Sequence, residues 1–364
     1  MTRRTLAGPM AWLFASLVVY ASLYPFVGWR AQGIPLWGFL LEPLPRYWLP
    51  FDVFANFVGY MPLGFLLAVT VLRSGGGRAM SVAAFVVPAL LSLSMETLQV
   101  FLPGRVPSNV DWALNTVGGT LGAALALGLS HQGWLARWQR VRLQLFVPHA
   151  HGALLLMAVW PLALLYPTSL PFGLGQVWGG VDAAVVGWLA GTALEPWWLA
   201  SHPQNVPLAW VSQSVCVALG VLGPGLLGHS VLRGLWFRVG WGLGVGLVAA
   251  GWMGLSHALT HGPVHAWAWL TPPVGVGLVL AACAGTALSW VPRRVCVVGL
   301  VCVLVAGLAL LNRAPQSPYL DVSLEIWAQG RFSRFHGLTQ WLGWLWPYAA
   351  LVHAFTQATR SHMP

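Results

Sequence analysis

Apolar residues come in long runs along this chain, each broken by a short cluster of Gly, Pro, Arg or His. The runs fall at 9–29, 54–72, 79–101, 110–129, 152–165, 177–199, 208–227, 235–255, 266–290, 295–311 and 338–355. Most approach the roughly 20 residues that a helix needs to cross the hydrocarbon core of a bilayer. A chain crossing lipid must satisfy its own backbone hydrogen bonds, so each run is expected to be an α-helix. The predicted fold class is an all-α, polytopic transmembrane helical bundle of about ten spans, or eleven if every run crosses. The run at 177–199 is the weakest, because it carries Asp182 and Glu195. Read as re-entrant or interfacial, it leaves ten.

Composition points the same way. The chain is 57% hydrophobic and 7% charged, against about 25% charged for a soluble domain. Its net charge of +10 comes from scattered arginines. No run is dense enough for nucleic acid, and the charge reads as positive-inside topology plus attraction to anionic lipid. Arg3 and Arg4 put the start of the first span in the cytoplasm, as an uncleaved signal anchor. Arg73 and Arg78 then fall inside, as do Arg137, Arg140 and Arg142 on a basic, aromatic-rich surface helix. Arg30, Glu42 and Arg46 fall outside. With ten spans, Arg233, Arg238, Arg293 and Arg294 are also inside; with eleven they are outside, against the rule. The ten-span reading puts both termini in the cytoplasm and every acidic residue outside, including Asp321 and Glu325 in a loop at 312–336 that also holds Arg331 and Arg334. Cys216, Cys283, Cys296 and Cys302 all lie in apolar runs and are expected to be buried free thiols. The chain divides into 1–145, with four spans and the basic helix, and 146–364, a second bundle.

Polar chemistry concentrates at the outer ends of the second, third and fourth spans. Asp52, Asn56 and Tyr60 recur every four residues and share a helix face, as do Asp111 and Asn115. With Glu96, Gln99 and Arg105 they outline an outward-facing polar pocket. Ionisable residues in membrane segments are candidate functional groups. Each also has a plain structural reading. Glu96 is either a ligand-binding or acid–base carboxylate or a partner for Arg105. Arg105, after the turn-forming Pro103 and Gly104, either grips a phosphate or pairs with Glu96 or Asp111. Ser108-x-x-Asp111 is a capping-box pattern, and Asp52 is a candidate N-cap. Asn56, Gln99 and Asn115 suit hydrogen bonds between helices. Gly118, Gly119 and Gly122 allow close helix approach. His257 and His261 have metal-ligand spacing, but Gly262 and Pro263 break the helix and no acid or Cys completes a set. No metal and no cofactor are expected, and no Walker loop, dinucleotide fingerprint or Gly-x-Ser-x-Gly is present.

Glu96-x-x-Gln99-x-Phe101-Leu102-Pro103-Gly104-Arg105 and then Ser108-x-x-Asp111-x-x-x-Asn115-Thr116-x-Gly118-Gly119-x-x-Gly122 resemble the VanZ-like family. Asp52-x-x-x-Asn56-x-x-x-Tyr60-x-Pro62-Leu63-Gly64 matches that family's earlier motif. The resemblance covers about residues 10–130. It implies a multi-pass protein of the bacterial inner membrane, associated with reduced susceptibility to teicoplanin, a lipoglycopeptide. Three functions follow. One is a non-enzymatic envelope protein that binds an amphiphilic glycolipid, lipid-linked saccharide or lipoglycopeptide. The next is a membrane enzyme for a polyprenyl-linked or saccharide substrate, with Glu96 or Asp111 as base. The third is a transporter, disfavoured by the lack of mid-span acids. The first is preferred; the expected partner is a membrane lipid or lipid-linked saccharide, and the oligomeric state is open.

Overall fold

The computed structural model describes residues 7–24, 26–44, 50–148, 150–201, 208–314 and 333–360. Arg3, Arg4, Arg46, His149, Asp321, Glu325 and Arg331 lie outside them. The described residues form thirteen α-helices, two short 3-10 turns and no strand. The chain separates into two compact units, Met1–Val141 and Arg142–Pro364.

The first unit contains α1 (Ala7–Leu23), α2 (Pro50–Ser74), α3 (Arg78–Gln99) and α4 (Asn109–His131), followed by α5 (Trp134–Leu145), within which the division falls. Local signals set the ends. Pro50, which has no N–H to leave orphaned, opens α2. Gly75, at φ +70°, stops it in the left-handed conformation that glycine tolerates. Asp52 therefore sits in the first turn of α2 and is not its N-cap. The first helix ends at Leu23, short of the run that reaches Trp29, because the chain turns through positive φ at Phe26 and Gly28. Residues 26–44 fold back instead as an irregular segment. Arg30 N–H donates to Phe101 O at 3.0 Å, and Gln32 Nε2 donates to Val100 O at 2.7 Å.

Glycines bring α2 and α4 together. A Cβ on Gly118 would overlap the carbonyl oxygen of Phe57, and one on Gly122 that of Met61. From the other side, a Cβ on Gly64 would overlap the oxygen of Gly119. Backbone thus lies directly on backbone, the arrangement that small residues permit between membrane helices. Large apolar side chains such as Phe54, Val82, Leu90 and Val117 point outward, as lipid-facing residues do.

The second unit contains α6 (His151–Ala163), α7 (Trp178–Leu189), α8 (Glu195–Ser201), α9 (Trp210–Val231), α10 (Leu235–His261), α11 (Pro272–Leu288), α12 (Arg293–Leu311) and α13 (Ser333–Arg360). Its core is apolar and centred on α9, with Val217, Leu226, Leu227 and Val231 fully enclosed and Leu300 and Ala350 packed around them. One end is tied by backbone bonds: Val147 N–H to Val231 O at 3.0 Å and Arg233 N–H to Leu145 O at 2.7 Å. At the other end Ser256 Oγ donates to Leu165 O, and Gln176 Nε2 to Leu311 O and Ala314 O.

The apolar run at 177–199 is not one helix. It breaks at Gly191, at φ +75°, into α7 of 12 residues and the beginning of α8. At 1.5 Å per residue α7 reaches about 18 Å, well short of the roughly 30 Å core of a bilayer. Its acids serve the hairpin itself: Trp198 Nε1 donates to Asp182 at 2.8 Å, and Gly191 N–H to Glu195 at 2.8 Å. Among the described residues six helices are long and apolar enough to cross a membrane: α2, α3, α4, α9, α10 and α12. Apolar α1, α6 and α11 are shorter. The cysteines divide: Cys216 and Cys296 are buried, while Cys283 and Cys302 are exposed on the outer faces of α11 and α12. An apolar run shows only that a helix enters lipid, not which of its faces packs inward.

Candidate functional site

The polar residues of the first unit meet where the N-terminal ends of α2 and α4 pass the C-terminal end of α3. Glu96 is 3% exposed and sits one turn before the end of α3. Its Oε2 accepts the backbone N–H of Ser108 at 2.9 Å. Ser108 is the N-cap of α4, and its hydroxyl accepts from Asp111 N–H at 3.3 Å. The Ser108 N–H, which a capping box would satisfy from Asp111, is thus held by a carboxylate from the preceding helix. A carboxylate at a helix N-terminus is favourably placed against the helix dipole. Asp111 lies in the first turn of α4, next to Trp112, whose Nε1 donates to Ala89 O on α3.

One turn deeper, Asn115 Nδ2 donates to Ser92 Oγ at 3.0 Å. Ser92 faces the hydroxyl of Tyr60, and Ser22 of α1 and Glu96 are its other polar neighbours. The Tyr60 hydroxyl nevertheless makes no hydrogen bond of good geometry, and neither do Asn56 Nδ2 and Asn115 Oδ1. Tyr60 and Asn115 are each 5% exposed. Tyr60 OH and Asn115 Oδ1 are therefore buried without partners around Ser92, and Asn56 Nδ2 one turn earlier on α2. An orphaned buried polar group costs about 1–3 kcal/mol, so these three stand out.

Arg105 and Gln99 both reach α1. Arg105 Nη2 donates to Tyr24 O at 2.8 Å and Ala21 O at 3.3 Å, and Gln99 Nε2 to Ser22 O at 3.1 Å. Both satisfy carbonyls at the C-terminal end of α1, groups that no longer have an intrahelical donor. Pro103 and Gly104 make the expected turn, closed by Arg105 N–H to Leu102 O at 2.9 Å. Asn109 Nδ2 reaches Glu42 O in the irregular segment.

Residues 9–131 match the VanZ/LLP1 family model. This region is VanZ-like. No curated protein and no solved structure matches the chain.

The VanZ-like region contributes one buried group that its quoted motifs do not include. Ser92, fully buried, accepts from Asn115 and faces the Tyr60 hydroxyl. It stands four residues before Glu96, so the spacing rule that joined Asp52, Asn56 and Tyr60 also puts Ser92 and Glu96 on one face. Outside the VanZ-like region, His257 and His261 stack ring on ring, 5.4 Å apart. In the second unit a hollow of about 40 Å³ lies between α9, α12 and α13, lined by Cys216, Leu219, Leu304, Leu308 and Trp346 among others. Its lining is apolar, which suits a dry packing gap better than a water site.

Proposed function

We propose that the VanZ-like region binds an amphiphile carrying a saccharide or other hydroxyl-rich head, such as a glycolipid, a lipid-linked saccharide or a lipoglycopeptide. One observation carries this reading. Tyr60 OH and Asn115 Oδ1 are buried and unpartnered around Ser92, with Glu96 beside Tyr60, and Asn56 Nδ2 is buried and unpartnered one turn earlier on α2. Sugar hydroxyls donate and accept, which is what this mixed set calls for, while a lipid tail would lie along the apolar helix faces. Glu96 already accepts a backbone N–H, which favours a binding role over that of a free general base. The site opens outward in a topology with ten crossings and cytoplasmic termini, in the inner membrane of a bacterium. One feature supports that count: residues 145–147 pair with 231–233, so the chain between them crosses an even number of times. A change in teicoplanin susceptibility is the expected cellular effect.

The test is mass spectrometry of lipids retained by the purified chain, beside Tyr60→Phe and Glu96→Gln. A defined glycolipid or polyprenyl-linked saccharide on the wild type, lost from Tyr60→Phe while the melting temperature holds, supports the reading. Bulk phospholipid alone in all three samples removes it. In cells, expression in a teicoplanin-sensitive strain should alter the inhibitory concentration, and Tyr60→Phe should restore it.

A further inference from the structure

The second unit gathers guanidinium groups at the end where α9 turns into α10 and α11 into α12. Arg238, in the first turns of α10, is 8% exposed. Its Nη1 donates to Val291 O at 2.6 Å and Ser289 O at 3.2 Å, and its Nε to Leu232 O at 3.5 Å. Arg293, the first residue of α12, sends its Nε to the same Leu232 oxygen at 3.4 Å. Arg233 follows Leu232 in the chain, and the charges of Arg233 and Arg238 both bear on Arg293.

Three like charges thus share one corner, and what offsets them is countable. The carbonyls that they hold belong to the C-terminal ends of α9 and α11. The C-terminal ends of α9 and α11 each act as about half a negative charge, and the N-terminal ends of α10 and α12 at the same corner each act as about half a positive one, so the four ends offset one another. Asp182 and Glu195, the carboxylates among the unit's described residues, bond to Trp198 and Gly191 on the α7–α8 hairpin. The charge of the arginines is left over. No side-chain hydrogen bond among the described residues engages Arg233. Trp236 and Trp290, on either side of the cluster, are 82% and 63% exposed. Exposed indoles mark the headgroup level of a membrane helix, so the surplus charge sits where phospholipid phosphates lie.

We infer that Arg233, Arg238 and Arg293 bind the phosphate of an anionic phospholipid headgroup. Arg238 is locked by its carbonyl partners and gives the site a fixed cation. Arg233 and Arg293 are exposed, and their remaining N–H groups close on the phosphate oxygens by charge-assisted bonds. The site stands apart from the VanZ-like region and does not depend on the ligand proposed there.

The experiment uses the full chain in an uncharged detergent, with native mass spectrometry and thermal unfolding against phosphatidylglycerol, phosphatidylcholine and inorganic phosphate. Phosphatidylglycerol should be retained in preference to phosphatidylcholine and should raise the melting temperature. Arg233→Gln should weaken that retention roughly fivefold, the effect of one basic residue at a membrane surface, without changing the lipid-free melting temperature. Arg313→Gln, beyond the far end of α12, should leave it unchanged. Equal retention of both lipids, or full retention by Arg233→Gln, overturns the proposal. If inorganic phosphate alone stabilises as much as phosphatidylglycerol, the site is one for free anions and the headgroup assignment falls.

Discussion

Helices α4 and α10 are both rich in glycine, and they use it in opposite ways. In α4, a Cβ on Gly118 or Gly122 would run into the backbone of α2. In α10, a Cβ on Gly240, Gly242, Gly244 or Gly246 would meet nothing within 4 Å among the described residues. The difference lies in what faces the glycines. Residues four apart share a helix face, so Gly118 and Gly122 make one flat strip, and the backbone of α2 lies on it. In α10 Gly240 and Gly244 share one face and Gly242 and Gly246 another, and nothing among the described residues lies against either. The same contrast runs through the two units. The first packs backbone on backbone and encloses polar groups. The second encloses apolar side chains around α9 and keeps its charge at one end.

The sharpest way to break that contrast is to add the missing methyl groups. Gly118→Ala with Gly122→Ala must push α2 and α4 apart at two carbonyls that have nowhere to move. Overpacking of this kind costs about 1–3 kcal/mol per site, so the double variant should lose roughly 3 kcal/mol or more and fail to give a monodisperse peak in detergent. Wild-type melting would show that the helices are free to separate.

The charged end of the second unit comes next. Arg238→Leu leaves the carbonyls of Leu232, Ser289 and Val291 short of a donor. Hydrogen bonds to a charged group contribute about 1.5–3 kcal/mol, and a loss of about 2 kcal/mol is expected in denaturant or thermal unfolding. A smaller effect is expected in the first unit. Glu96→Ala strands the partly buried N–H of Ser108 and should cost about 1–2 kcal/mol, while Glu96→Gln keeps an acceptor in place and should cost less than about 1 kcal/mol. Equal losses in the two Glu96 variants would mean that charge, not the acceptor, is what the N-terminus of α4 requires.

Much of this was legible in the chain. The apolar runs located most of the helices, because a lipid-exposed helix must be apolar along its length; the run at 9–29 outlasts its helix by six residues and the run at 177–199 breaks in two. The capping serine, the turn at Pro103 and Gly104, and the glycine strip on α4 were also visible, since each is set by local geometry. What was not visible depends on partners distant in sequence. Arg105 could be matched to a carboxylate or a phosphate by type, but that it donates to the carbonyls of Ala21 and Tyr24 was not visible, because backbone acceptors leave no mark in a sequence. Cys283 and Cys302 looked as buried as Cys216 because hydropathy does not record which way a helix faces. The arginine corner was hidden for the same reason: Arg233, Arg238 and Arg293 read as topology signals until the turns at both ends of α9–α10 and α11–α12 brought them together.

The smallest effect tests the open side of the comparison. Glycine inside a helix is about 0.5–1 kcal/mol less stable than alanine, because its backbone loses more freedom on folding. A Cβ at Gly244 touches nothing among the described residues, so Gly244→Ala has no steric term from them to set against that gain. The variant should melt higher, by about 1–2 °C if the gain is near 0.5 kcal/mol. The direction matters more than the size. A fall in melting temperature would mean that something outside the described residues, such as a second copy of the chain, lies against this face closely enough to meet a methyl group. The glycines of α10 would then be an interface strip like those of α4, with the partner supplied from another molecule, and the contrast between the two helices would be one of partner and not of packing.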